Sequence, residues 1–297
     1  MDIYAYILPN DATKTGLIKV GHAGDSDKRI EEQIGATRQL YEKVFDQSAL
    51  AGKRNISDHD VHRHLVERGF ERIEGEWFRC TPNDVQNALD FLKQKYINED
   101  KRNELSEKFY EELRNWYFWA TEEQYQGILC DRDPDPDHAL RTIVRLLLVF
   151  FLKEKGLVPA EIFDERRINE NLKTDEHRYY KAILRNLFFY SLNTPTNNRG
   201  DLENRHLMSH YNKIKEQLHR KIPFLNGGLF NEHPGDDFAL NDDYFFSDIR
   251  TRSIQALGNR LPVMGIVKIL SQYKYTLDEA DDTEYIDPDL NTFKKNL

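Results

Sequence analysis

Tyr6, Lys19, Arg29, Asp58, His62 and Glu76 are the residues of this 297-residue chain whose types and spacing could do chemistry. As a set they offer a phenol, two fixed cations, two carboxylates and an imidazole, groups that can move a proton, stabilise a growing negative charge or hold a hard cation. Asp58 and His62 lie four apart in a helical pattern and so share one helix face. Each residue also has a plainer reading. Ser57-x-x-Asp60 fits a helix capping box, and Asp58 and Asp60 in a first turn complement the helix dipole. A strand tyrosine is more often a core aromatic with a satisfied hydroxyl, and a lysine beside a strand glycine is more often a solvated edge charge. Trp77 and Phe78 read as core anchors, with Glu76 there to cap or pair.

The elements that must position these residues follow from patterning. Ile3-Tyr4-Ala5-Tyr6-Ile7-Leu8 is β-branched and aromatic, and Gly16-Leu17-Ile18-Lys19-Val20-Gly21 is a second strand after the turn-forming Pro9-Asn10-Asp11, so the opening reads as a hairpin. Helical patterns run from Asp27 through Ile34, from Ser57 through Leu65, and from Thr81 onward with Val85, Leu89 and Leu92 on one face; Thr81-Pro82 is a cap followed by proline at the first helical position. Residues 1–97 therefore form a small sheet-and-helix module. From 98 the strand signal fades. The charged stretch Asn98-Glu99-Asp100-Lys101-Arg102 reads as a linker, and residues 98–297 as a mainly helical domain. Helices are expected around Leu105 to Trp116, Leu140 to Lys155, Tyr179 to Leu192 and Val263 to Tyr273, with polar loops at 131–136, 193–201 and 231–243. The fold class is α+β, without internal repeats.

Composition narrows the rest. Hydrophobic residues make up 39% and charged residues 31%, enough to bury one or two cores. A net charge of −9 argues against a surface that is nucleic-acid glove all over, while leaving room for a local basic site. The apolar run Leu146 to Leu152 is far short of the roughly 20 residues a bilayer span needs, and Met1-Asp2-Ile3-Tyr4 has no signal-type features, so a cytoplasmic, membrane-free protein is expected. Two cysteines, Cys80 and Cys130, make neither a disulfide framework nor a zinc knuckle.

The first part resembles the GIY-YIG nuclease superfamily, in the branch often fused to bacterial restriction and helicase proteins. Tyr6-Ile7-Leu8-Pro9-Asn10 is similar to the first-strand element, and Lys19-Val20-Gly21 to the second triplet with lysine in place of tyrosine. Arg29 in Asp27-Lys28-Arg29 follows at the family's spacing. Asp58-His59-Asp60-Val61-His62 is similar to the helix that carries the acidic metal ligand and a companion histidine, and Gly75-Glu76-Trp77-Phe78 to the closing strand motif. The resemblance implies that Tyr6 is the general base or its relay and that Arg29 stabilises phosphoryl oxygens. Lys19 would depress the pKa of Tyr6, as a neighbouring cation favours phenolate. His62 would contact phosphate or water. An acid would hold Mg²⁺ or Mn²⁺, a hard ion preferring oxygen ligands. The family usually has glutamate on the helix; here Asp58 stands there, one methylene shorter, and ranks first as metal ligand with Glu76 second.

The remainder resembles the helical region that precedes the adenine methyltransferase domain of single-chain restriction-modification enzymes. The matching phrases are Lys108-Phe109-Tyr110, Arg141 to Val158, Tyr180 to Leu184, Asn186-Leu187-Phe188-Phe189 and Pro223 to Phe230. These are mostly apolar and read as core packing with a Gly-Gly turn. No Asn-Pro-Pro-aromatic motif and no glycine-rich nucleotide turn follows; Asp287-Pro288-Asp289-Leu290 resembles the approach to the methyltransferase, and residues 291–297 depart from it. A natural truncation, a split subunit and a decayed frame all stay open. The expected function is a metal-dependent DNA endonuclease of a bacterial or phage restriction-modification or defence system. The alternative is a non-catalytic DNA-binding or docking module for a separately encoded methyltransferase or specificity subunit. A two-strand cut needs two active sites or two nicks, which makes a homodimer an expectation to test.

Overall fold

The computed structural model of the chain describes residues 1–35, 39–122, 136–220, 222–225, 227–275 and 285–286. Cys130, most of the loop expected at 131–136, Asn226 of the Gly-Gly turn and the ending from 287 to 297 lie outside the described residues. Two compact units make up the chain, Met1–Glu104 and Leu105–Leu297.

In the first unit the order is β1 (Asp2–Ile7), β2 (Ile18–Ala23), α1 (Ser26–Ile34), β3 (Glu42–Ser48), the short pair β4 (Leu50–Ala51) and β5 (Arg54–Asn55), α2 (Asp58–Glu67), β6 (Glu71–Glu74), β7 (Trp77–Arg79) and the first part of α3 (Pro82–Thr121), whose residues from Leu105 belong to the second unit. β1 and β2 form the antiparallel hairpin that their patterns suggest, with Tyr6 opposite Lys19 and Tyr4 opposite Gly21. The main sheet runs β3-β1-β2-β7-β6. Because successive strand residues point to opposite faces, the unit has two apolar clusters. Ile3, Ala5, Ile18, Val20 and Phe78 face Val61 and Leu65 of α2 and Val85, Leu89 and Leu92 of α3. Tyr4, Tyr6, Leu8, Leu17 and Trp77 lie on the other face with Ile30 of α1. Burying such a side chain contributes about 1.5–3 kcal/mol, so this alternation fixes which face each candidate residue joins.

Each helix starts where a cap directs it. Asp25 accepts from the Lys28 amide at 3.0 Å ahead of α1. Ser57 and Asp60 form a reciprocal capping box at the start of α2, and Thr81 with Asp84 does the same ahead of α3. The stretch 98–102 is not a linker: it lies inside α3, where Glu99 and Asp100 each meet Arg54 of β5, at 3.0 and 2.9 Å. Charge there marks a solvated helix face.

In the second unit α4 (Pro136–Glu154), α5 (Glu165–Asn171), two π-wound turns at Tyr180–Leu184 and Asn186–Leu192, α6 (Tyr211–Arg220), α7 (Asp243–Phe246) and α8 (Ile266–Ser271) surround a core that includes Trp116, Trp119, Phe150, Phe188 and Tyr244. The helix expected over 263–273 is shorter. An antiparallel hairpin, β8 (Arg250–Ile254) with β9 (Asn259–Val263), takes up residues to Val263, and α8 begins at Ile266 after Gly265. Gly265 is required there, since a Cβ would sit 2.4 Å from the Phe245 carbonyl.

The expected polar loop at 231–243 holds the unit's buried charge. Asp236 is fully buried and accepts from Arg145 Nη2 (2.8 Å), Arg141 Nε (3.0 Å) and the His233 amide (2.9 Å), with His138 Nδ1 at 3.3 Å. Burial alone would raise its pKa; the His138 and Arg145 contacts overcome that and hold it well below the usual carboxylate range. No helix among the described residues is long and apolar enough to cross a membrane.

Candidate active site

Cross-strand register builds the site. Tyr4 and Tyr6 alternate onto the α1 side of the sheet, Lys19 lies opposite Tyr6 on β2, and Trp77 lies opposite Lys19 on β7. The Tyr4 and Tyr6 rings stack at 6.5 Å between centroids, and Tyr6 meets Trp77 edge-on at 5.7 Å. Gly21 leaves the space this needs, because a Cβ there would lie 2.5 Å from Tyr4 Oη and 2.6 Å from Cζ.

Lys19 Nζ lies 5.8 Å from the Tyr6 ring centroid and 3.5 Å from Glu76 Oε2. The buried side of α1 anchors on Ile30, while Arg29 is half-exposed and pairs with Glu32 at 3.5 Å. One turn on, Gln33 Oε1 accepts from both the Tyr4 and the Tyr6 hydroxyl, each at 3.4 Å. Tyr4 was not among the residues singled out from sequence, yet the charges of the site converge on its hydroxyl. Burial and Glu76 push its pKa up, Arg29 and Gln33 pull it down, and Asp58 pushes it up. Its i,i+2 spacing from Tyr6 on one strand was the available signal. Gln33 had none, because its role depends on how α1 lies across the sheet.

Lys19 does not depress the Tyr6 pKa. Burial, Tyr4 and Glu76 raise it to about 12, and Glu76 counters the lysine charge. Tyr6 is therefore a neutral phenol at neutral pH.

On α2 the two first-turn acids separate. Asp60 is committed to the capping box and to Arg63, whereas Asp58 is half-buried, with one oxygen accepting from the His59 amide at 3.0 Å. His62 is 2% exposed and lies on the other side of the sheet from the tyrosines, its ring 5.0 Å from that of Phe78. Its Nε2 is 2.8 Å from the Val20 carbonyl, and burial lowers its pKa, so the neutral ring donates Nε2–H to that oxygen. This corrects the expectation of an imidazole facing phosphate. The Val20 amide in turn donates to the Glu76 carbonyl at 3.0 Å, so His62 and Glu76 together saturate the backbone of β2 where its short pairing with β7 ends.

For a divalent cation the available donors are carboxylates. Among the described residues no cluster of three or more His, Cys, Asp or Glu could hold a metal, but Asp58 and Glu76 both act on the Tyr4 hydroxyl. One or two carboxylates suit an ion such as Mg²⁺ that keeps several waters.

Residues 3–93 match the T5orf172 domain family. A protein of Methanocaldococcus jannaschii, provisionally named as a type II restriction enzyme and methyltransferase, is 30% identical over 153 residues, which covers 49% of this chain and 10% of that protein. The chain thus spans about a tenth of the length of that relative. No solved structure matches.

Proposed function

We propose that this chain is a DNA endonuclease linked to restriction-modification, hydrolysing phosphodiesters on the Tyr4–Tyr6 face of its first unit. The observation that carries the reading is the Tyr6–Lys19 cross-strand pair with Glu76 beside it, on one sheet face of the segment that matches the T5orf172 family. The name of the Methanocaldococcus relative supports the restriction-modification link and DNA as the partner.

In this reading Tyr6 works as a proton relay. Its raised pKa leaves it protonated, so its oxygen accepts the proton of the attacking water as its own phenolic proton, freed from Gln33, is released to water, which returns a proton to the leaving oxygen. The water oxygen forms the new bond to phosphorus, and the bond to the leaving oxygen breaks. Gln33 orients both phenols, and Arg29 and Lys19 balance the charge that grows on the phosphoryl oxygens. Asp58, with Glu76 second, would hold Mg²⁺ or Mn²⁺, which supplies further charge stabilisation when bound. His62 is a positioning residue that fixes α2 to β2 and thereby Asp58.

Plasmid nicking tests the reading, with Mg²⁺ or Mn²⁺ and with EDTA, on methylated and unmethylated DNA. Metal-dependent nicking should fall by roughly 10²–10⁴-fold in Tyr6→Phe, the range for loss of a proton-transfer group, and should be lost in Arg29→Ala. Nicking that survives EDTA, or persists unchanged in Tyr6→Phe, sinks the proposal. Sedimentation of the same samples, alone and with a separately encoded methyltransferase, tests the finer readings of a homodimer and of that partner.

A further inference from the structure

The second unit carries a surface that the nuclease reading does not use. Lys173, Arg205, His206, His210 and Lys213 are all exposed. Among the described residues none of them has a carboxylate within ion-pair distance. Several other cations of the unit are tied down, among them Arg178 to Asp242, Arg185 to Glu232, Lys215 to Asp201 and Lys268 to Asp248. Arg166, Arg167 and Arg260, elsewhere in the chain, share the lack of an ion pair among the described residues but not the backbone pairing that gathers these five. In a chain of net charge −9, the five make a locally basic stretch, with Arg205 also acting at longer range on Asp201.

Backbone pairing brings them together. Leu172 and Met208 form an antiparallel bridge, the Lys173 amide donates to the Leu207 carbonyl at 2.8 Å, and the Ser209 amide donates to the Asn171 carbonyl at 2.8 Å. Lys213 Nζ reaches back to Asn171 Oδ1 at 3.2 Å. Arg205 is held as well, its guanidinium 4.2 Å from the Tyr211 ring centroid. The turn that presents it passes through Asn204, whose φ of 52° is the only positive value at a non-glycine among the described residues, and whose side-chain Nδ2 donates to the Lys181 carbonyl at 3.1 Å. Asparagine accepts this left-handed conformation more readily than most residues.

We propose that this surface binds the phosphate backbone of duplex DNA, as a second grip beyond the Tyr4–Tyr6 face. The inference rests on the nuclease reading for its choice of polyanion. The chemistry fits phosphate. Arginine and lysine neutralise it, and exposed Ser209 and Asn212 add neutral donors of the kind that contact sugar-phosphate backbone. No large exposed hydrophobic side chain lies between Lys173 and Lys213, so an apolar protein partner has nothing to anchor on. The acids near it in sequence are Glu170, Asp175, Glu176, Asp201, Glu203 and Glu216; Asp175 is engaged by Lys181, Asp201 by Lys215 and Tyr211, and Glu203 by Arg185 and Tyr190.

The test is fluorescence anisotropy of the full chain with a labelled duplex of arbitrary sequence, without metal, over a series of salt concentrations. Arg205→Glu with Lys213→Glu is the variant. Lys93→Glu with Lys95→Glu, on α3, is the control of equal charge change, and thermal melts establish that both fold. The surface variant should bind at least roughly tenfold more weakly, with a salt slope lower by about two, as expected for two lost phosphate contacts. Wild-type affinity and slope in that variant, an equal loss in the control, or a preference of the wild type for an acidic protein over the duplex would overturn the proposal. The two readings fail separately. Normal duplex binding with no nicking removes the nuclease reading alone, and normal nicking with unchanged binding in the variant removes only this surface.

Discussion

Asp236 and Glu76 are both carboxylates with basic neighbours, and they live in opposite regimes. Asp236 is fully buried and holds contacts from two arginines, a histidine and a backbone amide. Glu76 has a side chain 35% exposed and one ion-pair partner, Lys19, at 3.5 Å. Arg145 shows the same contrast with Arg29. The first is fully buried and also donates to the Leu229 and Asn231 carbonyls, at 2.9 and 2.8 Å, while the second is half-exposed with a long pair to Glu32. A charge taken out of water must be matched by the protein, and most of this hub's polar atoms are claimed that way, Arg145 Nη1 and His138 Nε2 being buried without a partner among the described residues. Charges at a solvated sheet face retain capacity for a ligand. The same residue types thus mean structure where they are buried and candidate chemistry where they meet solvent.

The largest effect expected from breaking this comparison is at Asp236. Asp236→Ala leaves Arg145 buried without its counter-charge and should destabilise the second unit by about 3–5 kcal/mol, the range for removing one partner of a buried pair, read by denaturant unfolding. The pH dependence has a definite sign. A carboxylate whose folded pKa is depressed contributes stability that is fully present above its unfolded value, near 4, and is lost as pH falls toward the folded value. The gap between wild type and variant should therefore narrow below about pH 4. A variant as stable as wild type at neutral pH would mean that the hub is not structural.

Next in size is Gly21→Ala. The added carbon meets Tyr4 Oη at 2.5 Å and Cζ at 2.6 Å, so either the ring or the strand must move. A cost of about 1–3 kcal/mol is expected from overpacking. Combining it with Tyr4→Ala should recover part of that cost, whereas Tyr4→Phe should not, because the ring carbon clashes as closely as the hydroxyl. Additive losses in the Gly21→Ala, Tyr4→Ala double variant would remove the packing account of Gly21.

What the sequence disclosed and what it hid divide along the same physical line. Local signals held: the alternation of Ile3 to Leu8 set the hairpin, and Ser57-x-x-Asp60 is the capping box it resembled. The pairing of Tyr6 with Lys19 was accessible because register in a short hairpin follows from the pattern, whereas Glu76 reaches Lys19 through the distant β2–β7 pairing that local pattern does not give. Asp236 was hidden because its stretch is polar by composition and its side-chain partners stand more than 90 residues away. Residues 98–102 misled for the reverse reason, since a charge run marks a solvated helix face as readily as a linker. His62 was assigned by spacing to the same face as Asp58, but spacing does not say how deep that face lies.

The smallest effect is also the sharpest, because it sets two neighbouring acids against each other. Asp60 accepts from Ser57 within the capping box and pairs with Arg63. Asp58 has no ion pair among the described residues and acts on the Tyr4 hydroxyl. Asp60→Ala should cost about 1 kcal/mol of stability, as lost helix caps do, and leave nicking intact. Asp58→Asn should leave the melting temperature nearly unchanged, since it removes no capping contact, and reduce metal-dependent nicking. Weakened metal binding would also make that loss partly recoverable at higher Mn²⁺. If instead Asp60→Ala abolishes nicking without loss of stability, the metal-binding role belongs to Asp60 and its box is incidental. If Asp58→Asn and Glu76→Gln both nick normally, the reaction at this face does not depend on either carboxylate. The two acids lie one half-turn apart on one helix, so a clean separation of stability from cutting would show that what a carboxylate does here is decided by which contacts already claim it.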